Sequence, residues 1–231
     1  MLDCKFILFT LRHKELQNTV MNQSDQHLED LQVIRKIMEE SSKFLSLSGL
    51  SGIVAGLLGI AGAVIAQVIL TGPSAPAEWY LKPLVEGGTV TSAVWLLFAD
   101  MAAVLVLAFS GSVLLSLRKA RKRGHNLWTP VTRRMLTSML IPLGAGGLFI
   151  LLTVTSIPAG VAASSTLIFY GLAVISAGKF TFGEIHWLGA LEIITGMVCL
   201  LLPQYTVLIW ATGFGVIHIG YGLYMHLRYK G

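Results

Sequence analysis

Three ionisable residues stand inside long apolar stretches of the sequence, where charged side chains are costly and usually have a function. They are Asp100, Glu192 and His218. A carboxylate beside an imidazole can exchange a proton with it, so one hypothesis is a proton-linked pathway with Glu192 as carrier and His218 as its partner. Asp100 would be a second acidic site nearer the outer face. The alternative hypothesis is that these side chains form hydrogen bonds or an ion pair that fix helix register.

The spacing of Glu192 and His218 favours a contact between two consecutive helices. A turn at Pro203-Gln204 would place Glu192 opposite residue 215. His218 is three residues farther, which is about 4.5 Å along the axis at a rise of 1.5 Å per residue. A carboxylate and an imidazole can meet across that offset.

Further ionisable residues lie nearer the predicted cytoplasmic side, where they could line a hydrated path to Glu192. They are Glu184, His186 and His226. The sequence has no HExxH motif, no phosphate-binding loop, no nucleophile beside a base and no paired-cysteine metal motif. We therefore expect no enzymatic activity, no cofactor and no metal site.

The composition indicates which elements must position these residues. The chain has 231 residues, of which 54% are hydrophobic and 13% are charged, whereas a soluble domain is about 25% charged. This composition is typical of a polytopic membrane protein. It argues against an ordinary soluble enzyme, a disordered protein and a nucleic-acid-binding domain, so we expect no nucleic-acid partner despite a net charge of +5.

A transmembrane helix needs about 20 apolar residues, and six stretches of the chain reach or approach that length. The predicted spans are about 44–70, 91–117, 135–156, 159–177, 185–203 and 205–225. The predicted fold class is therefore all-α, with a six-helix transmembrane domain over 44–231. Two hairpins resemble each other, since Leu143–Pro158 and Leu188–Pro203 both begin with Leu-Gly-Ala and end with proline. The pattern predicts a repeated two-helix unit.

The distribution of Lys and Arg predicts the orientation in the membrane. All cationic residues except Lys82 fall in the N-terminal arm, the second and fourth loops and the C-terminal tail. Cytoplasmic loops are enriched in Lys and Arg, so both termini are predicted to be cytoplasmic. A basic cluster near the second loop is also expected to contact anionic lipid headgroups. It contains Arg118, Lys119, Arg121, Lys122, Arg123, Arg133 and Arg134.

Residues 1–43 form a predicted cytoplasmic arm. Within it, the pattern predicts an amphipathic helix over about 24–43. The apolar stripe of this helix includes Leu28, Leu31, Ile34 and Met38. The stripe could pack on the bundle or lie in the lipid interface, or it could dock a dimer mate or a soluble protein. A polar start follows Met21, which is compatible with residues 1–20 being an upstream extension.

The first predicted span carries a row of small residues on one face. Its glycines are Gly49, Gly52, Gly56 and Gly59. Small residues let membrane helices approach closely, so this face predicts a helix–helix seam, either within the chain or between two chains. The second possibility would give a homodimer.

The pattern WLGALEIITGMVCLLLP…GFGVIHIGYGLY over Trp187–Tyr224 resembles the HdeD-like bacterial inner-membrane proteins. That resemblance implies six helices in tandem two-helix units, a bacterial inner-membrane location and an association with acid-stress tolerance. It supplies no catalytic residues.

Three functional expectations follow from the sequence. The leading one is a non-enzymatic integral inner-membrane protein with a structural or stress-related role. The second is a small proton-coupled transporter or channel that uses the intramembrane acids. The third is a membrane anchor or sensor that binds a soluble regulatory partner through the N-terminal arm.

Overall fold

The computed structural model describes residues 49–71, 85–86, 89–90, 92–122 and 128–228. The helices belong to the compact unit Phe44–Gly231. The amphipathic helix predicted over 24–43, the proposed extension over 1–20 and Arg123 lie outside the described residues.

The described chain consists of six helical segments and one short β ladder. In the ladder, Val85 pairs with Val90 and Glu86 pairs with Thr89 in antiparallel register. The helices are α1 (Gly49–Thr71), α2 (Ser92–Lys122), α3 (Pro130–Thr153), α4 (Ala159–Gly178), α5 (Ile185–Leu201) and α6 (Pro203–Arg228).

Five of these helices are long and apolar enough to cross a membrane, namely α1, α2, α3, α4 and α6. The sixth, α5, has 17 residues, or about 26 Å at 1.5 Å per residue, which is shorter than a hydrocarbon core of about 30 Å. It ends at Leu201 because Leu202 precedes Pro203, a position that disfavours helical backbone. The described helices are therefore compatible with a polytopic membrane protein, with five of the six predicted spans at full length.

The second connection is shorter than the sequence predicted. Helix α2 continues to Lys122 rather than ending near 117, and α3 begins at Pro130 rather than near 135. The start of α3 is fixed by Thr129, whose side chain accepts a hydrogen bond from the Thr132 backbone N–H at 3.2 Å. Proline at the first helical position suits this geometry. The described residues of the basic cluster therefore lie on two helix ends, and Arg123 lies outside the described part of the chain.

Neighbouring helices pack antiparallel, and α4 and α5 approach each other closely at two glycines. A Cβ atom added at Gly171 would lie 2.6 Å from the carbonyl oxygen of Gly189, and one at Gly189 would lie 2.6 Å from the carbonyl oxygen of Gly171. The backbones of the two helices are therefore in contact. Helix α3 packs on the outer side of α4, and α2 packs on α1.

The glycine row on the first span faces α6. A Cβ atom at Gly52 would lie 2.9 Å from the Cα atom of Gly222, and one at Gly56 would lie 2.6 Å from the carbonyl oxygen of Gly215. The predicted seam is thus formed within the chain. A homodimer stays a prediction, but it would need a surface other than this one.

The antiparallel packing brings all eight described Lys and Arg residues to one end of the helices, which we call the basic end. This end is formed by the start of α1, α3 and α5 and the end of α2, α4 and α6. Its cations are Arg118, Lys119, Arg121, Lys122, Arg133, Arg134, Lys179 and Arg228.

Candidate functional site

Glu192 on α5 and His218 on α6 are in direct contact inside the helical bundle. The Oε1 atom of Glu192 lies 3.1 Å from the Nδ1 atom of His218. Glu192 is fully buried, and His218 is 5% exposed. The structure therefore brings together the two residues that the hairpin spacing pairs, while the role of the contact stays a prediction.

Both ring nitrogens of His218 have partners. The Nε2 atom lies 2.8 Å from the hydroxyl of Tyr170 on α4, and the Nδ1 atom lies 3.1 Å from the carbonyl oxygen of Gly213. A carbonyl oxygen can only accept, so the Gly213 contact assigns a hydrogen to Nδ1. In the neutral ring, Nε2 then accepts from the Tyr170 hydroxyl. The cluster thus links α4, α5 and α6.

A π-helical segment within α6 provides the Gly213 carbonyl. It covers Thr212–Ile217 and separates two α-helical stretches, Thr206–Ala211 and His218–Arg228. Single π turns inside α-helices are frequent at functional sites. The wider turn leaves the carbonyl of Gly213 as an acceptor for the imidazole.

Gly213 also gives the carboxylate its space. A Cβ atom at this position would lie 2.5 Å from Cδ2 of Leu167 and 2.9 Å from Oε2 of Glu192. A larger residue at this position would therefore require the Leu167 side chain or the Glu192 carboxylate to move.

The carboxylate of Glu192 has little other support. Among the described residues, neither of its oxygens has a hydrogen bond of ordinary geometry, so the contact with His218 is its main polar interaction. Burying an uncompensated charge is costly. One proton added to the carboxylate and the neutral imidazole makes the pair neutral overall, either as an ion pair or as a carboxylic acid beside an imidazole.

Asp100 is not part of this cluster. It lies on α2 and is partly buried against α1, where a Cβ atom at Gly62 would be 3.6 Å from its Oδ2 atom. It lines a cavity of about 100 Å³ at the end of the bundle opposite the basic end. The structure therefore separates Asp100 from the Glu192–His218 contact.

The residues expected to form a cytoplasmic path are spread over the basic end. Glu184 lies 3.5 Å from Arg228, the ring of His186 packs against Gly178, and His226 lies against the backbone of Gly49. Along α5, the buried residues Ile185 and Leu188 lie between this end and Glu192, where they cluster with Val174. In this conformation these three ionisable residues do not form a continuous hydrated line to Glu192.

Five cations of the basic cluster are exposed on two helix ends. Arg118, Arg121 and Lys122 are exposed at the end of α2, and Arg133 and Arg134 are exposed at the start of α3. The guanidinium of Arg133 lies 5.4 Å from the ring centroid of Trp128. Contact with lipid headgroups stays a prediction. No group of three His, Cys, Asp or Glu side chains within the described part is close enough to hold a metal ion.

Sequence reasoning missed the Gly213 carbonyl and the cavity at Asp100. A signal for the first was present, since Gly213-Phe214-Gly215 interrupts an apolar helix with two glycines, which weaken regular helical backbone. No comparable signal marks the cavity, because it depends on which helices pack side by side.

Comparison with protein-family models, with curated proteins and with solved structures found no match. The likeness to HdeD-like proteins therefore stays a resemblance of sequence pattern. Conclusions about function therefore rest on the geometry of the site.

Proposed function

We propose that this chain is a non-enzymatic integral membrane protein with a closed helical core, in which the contact between Glu192 and His218 holds α5 against α6. The observation that supports this proposal is the burial of both side chains at a separation of 3.1 Å. A proton pathway needs water or another proton carrier on each side of the pair. A contact that fixes helix register needs only the two partners.

The physical role of the pair follows from its surroundings. In an apolar interior each polar side chain is stable only with its partner, so α5 and α6 must keep the register in which the two meet. Tyr170 extends this restraint to α4 through its hydrogen bond to His218. The cluster therefore adds a polar restraint on three helices to the close glycine packing of α4 on α5.

In the proposed membrane arrangement, α5 also crosses the bilayer. Its 17 residues are near the lower limit of about 17 for a spanning helix. Its contacts with α4 extend from His186 at Gly178 to Gly196 at Ser164, which supports a crossing along most of the length of α4. Six crossings place both termini on the basic side, which is the cytoplasmic side. An inner-membrane location and a stress-related role are supported by the sequence resemblance.

Proton-coupled transport is a second candidate that one observation favours. Because the Glu192 oxygens have no other hydrogen bond among the described residues, the carboxyl group can gain or lose a proton without breaking further contacts. The imidazole and the Tyr170 hydroxyl offer a second proton-exchanging link at 2.8 Å. Transport would require a conformation in which the cluster of Val174, Ile185 and Leu188 opens.

The proposal also includes three kinds of binding partner. The exposed cations at the basic end suit anionic lipid headgroups. A soluble regulatory protein bound through residues 24–43, and a homodimer formed by a surface other than the glycine seam, remain predictions. Vesicle binding by the full chain tests the lipid contact. Co-purification tests the soluble partner, and a measurement of mass in solution tests the homodimer.

Proton flux in liposomes separates the leading proposal from the transport candidate. The wild-type chain, Glu192→Gln and the control variant Tyr205→Phe, at an exposed residue outside the candidate path, would be reconstituted around a pH-sensitive dye and given a pH gradient and a membrane potential. We expect no flux above that of protein-free liposomes. Flux that disappears in folded Glu192→Gln and persists in Tyr205→Phe would overturn the proposal and establish transport.

A further inference from the structure

The cavity near Asp100 lies in a groove between the two outer helices of the bundle. Helix α2 packs on α1 and helix α3 packs on α4, but α2 and α3 have no extensive contact with each other in the described part of the chain. Helix α6 contacts both α1 and α4, so it forms the floor of the groove. At the end opposite the basic end, residues of all five of these helices line the cavity.

Alanine side chains leave the space that forms this cavity. Ala63 and Ala66 line it from α1, and Ala159, Ala162 and Ala163 line it from α4. Each of these side chains ends at Cβ, so the walls on α1 and α4 do not reach the facing helices. The lining residues of α1 extend as far as Leu70, which is about 10 Å along the helix axis at 1.5 Å per residue. The cavity is therefore elongated along the helices.

The surface of the cavity is almost entirely apolar, which makes water a poor occupant. The hydroxyl of Thr166 donates to a backbone carbonyl at 2.7 Å and accepts from Nε1 of Trp210 at 3.0 Å. The hydroxyl of Thr206 also donates to a backbone carbonyl at 2.7 Å. Asp100 is only partly buried and adds almost no polar surface to the cavity. Because an apolar cavity stays dry, the occupant that suits it is a hydrocarbon group.

The opening of the cavity is continuous with the apolar outer surface of the helices. Trp95 and Leu96 on α2 and Leu151 on α3 are exposed, and each is next in sequence to a residue that lines the cavity. In the proposed membrane arrangement, this outer surface faces the hydrocarbon chains of the leaflet opposite the basic end. The hydrocarbon that is nearest to the opening is therefore a lipid chain.

The size of the cavity limits the occupant to a single chain. An apolar cavity of about 150 Å³ holds one benzene ring, whereas this cavity has about 100 Å³ and is partly open. That volume extends over about 10 Å along the helix axis. It suits the end of one flexible hydrocarbon chain, and it is too narrow for a fused ring system.

We propose that this cavity binds one acyl chain of a phospholipid from the leaflet opposite the basic end. The inference rests on the proposed membrane arrangement, in which that leaflet surrounds the opening. The chain enters between α2 and α3 and lies against the alanines of α1 and α4 and the ring of Trp210, while the headgroup stays outside the bundle. An empty apolar space lacks dispersion contacts on one side of its walls, and an acyl chain restores them.

Trp210 can report on the occupant, because it lines the cavity and is only 9% exposed. Bromine on an acyl chain quenches the fluorescence of an indole ring at near contact. The full chain with Trp210 as its only tryptophan would be reconstituted in phosphatidylcholine vesicles brominated at mid-chain, with unbrominated vesicles as reference. We expect the fluorescence of Trp210 to fall at least twofold. The substitutions that leave it alone are Trp79→Phe, Trp95→Phe, Trp128→Phe and Trp187→Phe.

A second full chain that keeps only Trp95 separates this inference from the membrane arrangement on which it rests. Trp95 is 66% exposed on α2, so the brominated chains of a surrounding bilayer should quench it. Quenching of Trp95 without quenching of Trp210 would overturn the acyl-chain site alone and would mean that the cavity is empty or filled by protein. Quenching of neither ring would overturn the membrane arrangement and the inference with it.

Two cavity variants of the chain that keeps only Trp210 locate the acyl chain. Ala66→Leu fills the cavity from α1 and Ala159→Leu fills it from α4, and each is expected to reduce the quenching at least twofold. Ala61→Leu is the matched control, because Ala61 is exposed on α1 and does not line the cavity, and it should leave the quenching unchanged. Unchanged quenching in either folded cavity variant would place the bromine outside the cavity and overturn the proposal. Since the two cavity substitutions are independent, one that prevents folding leaves the other as the test.

Discussion

The Nδ1 atom of His218 lies 3.1 Å from Oε1 of Glu192 and equally 3.1 Å from the carbonyl oxygen of Gly213. The ring hydrogen on Nδ1 is donated to the Gly213 carbonyl, while the approach of Nδ1 to Oε1 does not have the geometry of a hydrogen bond. The contact between α5 and α6 is therefore a close electrostatic contact between an imidazole and a carboxyl group, whereas the contact within α6 is a hydrogen bond.

A double-mutant cycle would measure the contribution of this pair to stability. Glu192→Leu leaves the imidazole without its carboxylate, and His218→Phe leaves a fully buried carboxylate without its main partner. Breaking a buried pair in this way costs about 3 kcal/mol, whereas replacing both members by apolar side chains is often nearly neutral. We expect the double variant to be less destabilised than the sum of the two single variants.

The measurement for this cycle is the free energy of unfolding in mixed micelles titrated with a denaturing detergent. Glu184→Gln is the control, because its contact with Arg228 is partly exposed, and exposed pairs contribute about 1 kcal/mol or less. Strict additivity of the two core substitutions would show that Glu192 and His218 do not stabilise each other.

The Tyr170 hydroxyl makes a separate contribution through its 2.8 Å contact with Nε2 of His218. Tyr170→Phe removes this contact with little change in volume and leaves a buried ring nitrogen without its partner. The expected loss of unfolding free energy is about 1 kcal/mol. Tyr205→Phe, at a residue that is 53% exposed, serves as control and should change stability by a few tenths of a kcal/mol. Equal effects of the two substitutions would contradict the assigned hydrogen bond.

The sequence predicted the contact between Glu192 and His218 because a short hairpin leaves little freedom. The turn at Pro203 fixes which residues of α5 and α6 are at equal depth. An error of one helical turn in the position opposite Glu192 would still include both His218 and Gly213. The glycine seam was predictable for a related reason, since only a close helix neighbour explains several small residues on one face. Which helix fills the seam was not predictable, because α1 and α6 are distant in sequence.

The π segment and the cavity at Asp100 were beyond sequence reasoning for physical reasons. In a nearly continuous apolar stretch, hydrophobic periodicity does not tell a lipid-facing side chain from one packed on another helix. The cavity exists because α2 packs on α1 while α3 packs on α4, which is a property of the whole arrangement. The position of the π segment is likewise set by a contact in the folded bundle, that of the Gly213 carbonyl with His218.

Two glycines of α6 offer a matched test of the seam with α1. A Cβ atom at Gly222 would lie 2.5 Å from the backbone nitrogen of Ile53, whereas one at Gly220 would have no atom within 4 Å. Gly222→Ala should therefore force the helices apart and cost about 1–3 kcal/mol. Gly220→Ala should be neutral or stabilise the helix by up to about 1 kcal/mol. Thermal unfolding of the two variants in one detergent checks this, and equal unfolding temperatures would count against the packing of α1 on α6.

Cysteine labelling tests whether the short helix α5 crosses the membrane. Gly183 precedes α5, where a side chain has open space, and Gln204 follows it at an exposed position. If α5 crosses, a membrane-impermeant maleimide added to intact cells should label Gln204→Cys and should label Gly183→Cys only after permeabilisation. Both variants would carry Cys4→Ser, and the buried Cys199 should stay unlabelled in Cys4→Ser alone. Labelling of both new cysteines from one side would mean that α5 does not cross and that the chain has five spans, with its termini on opposite sides.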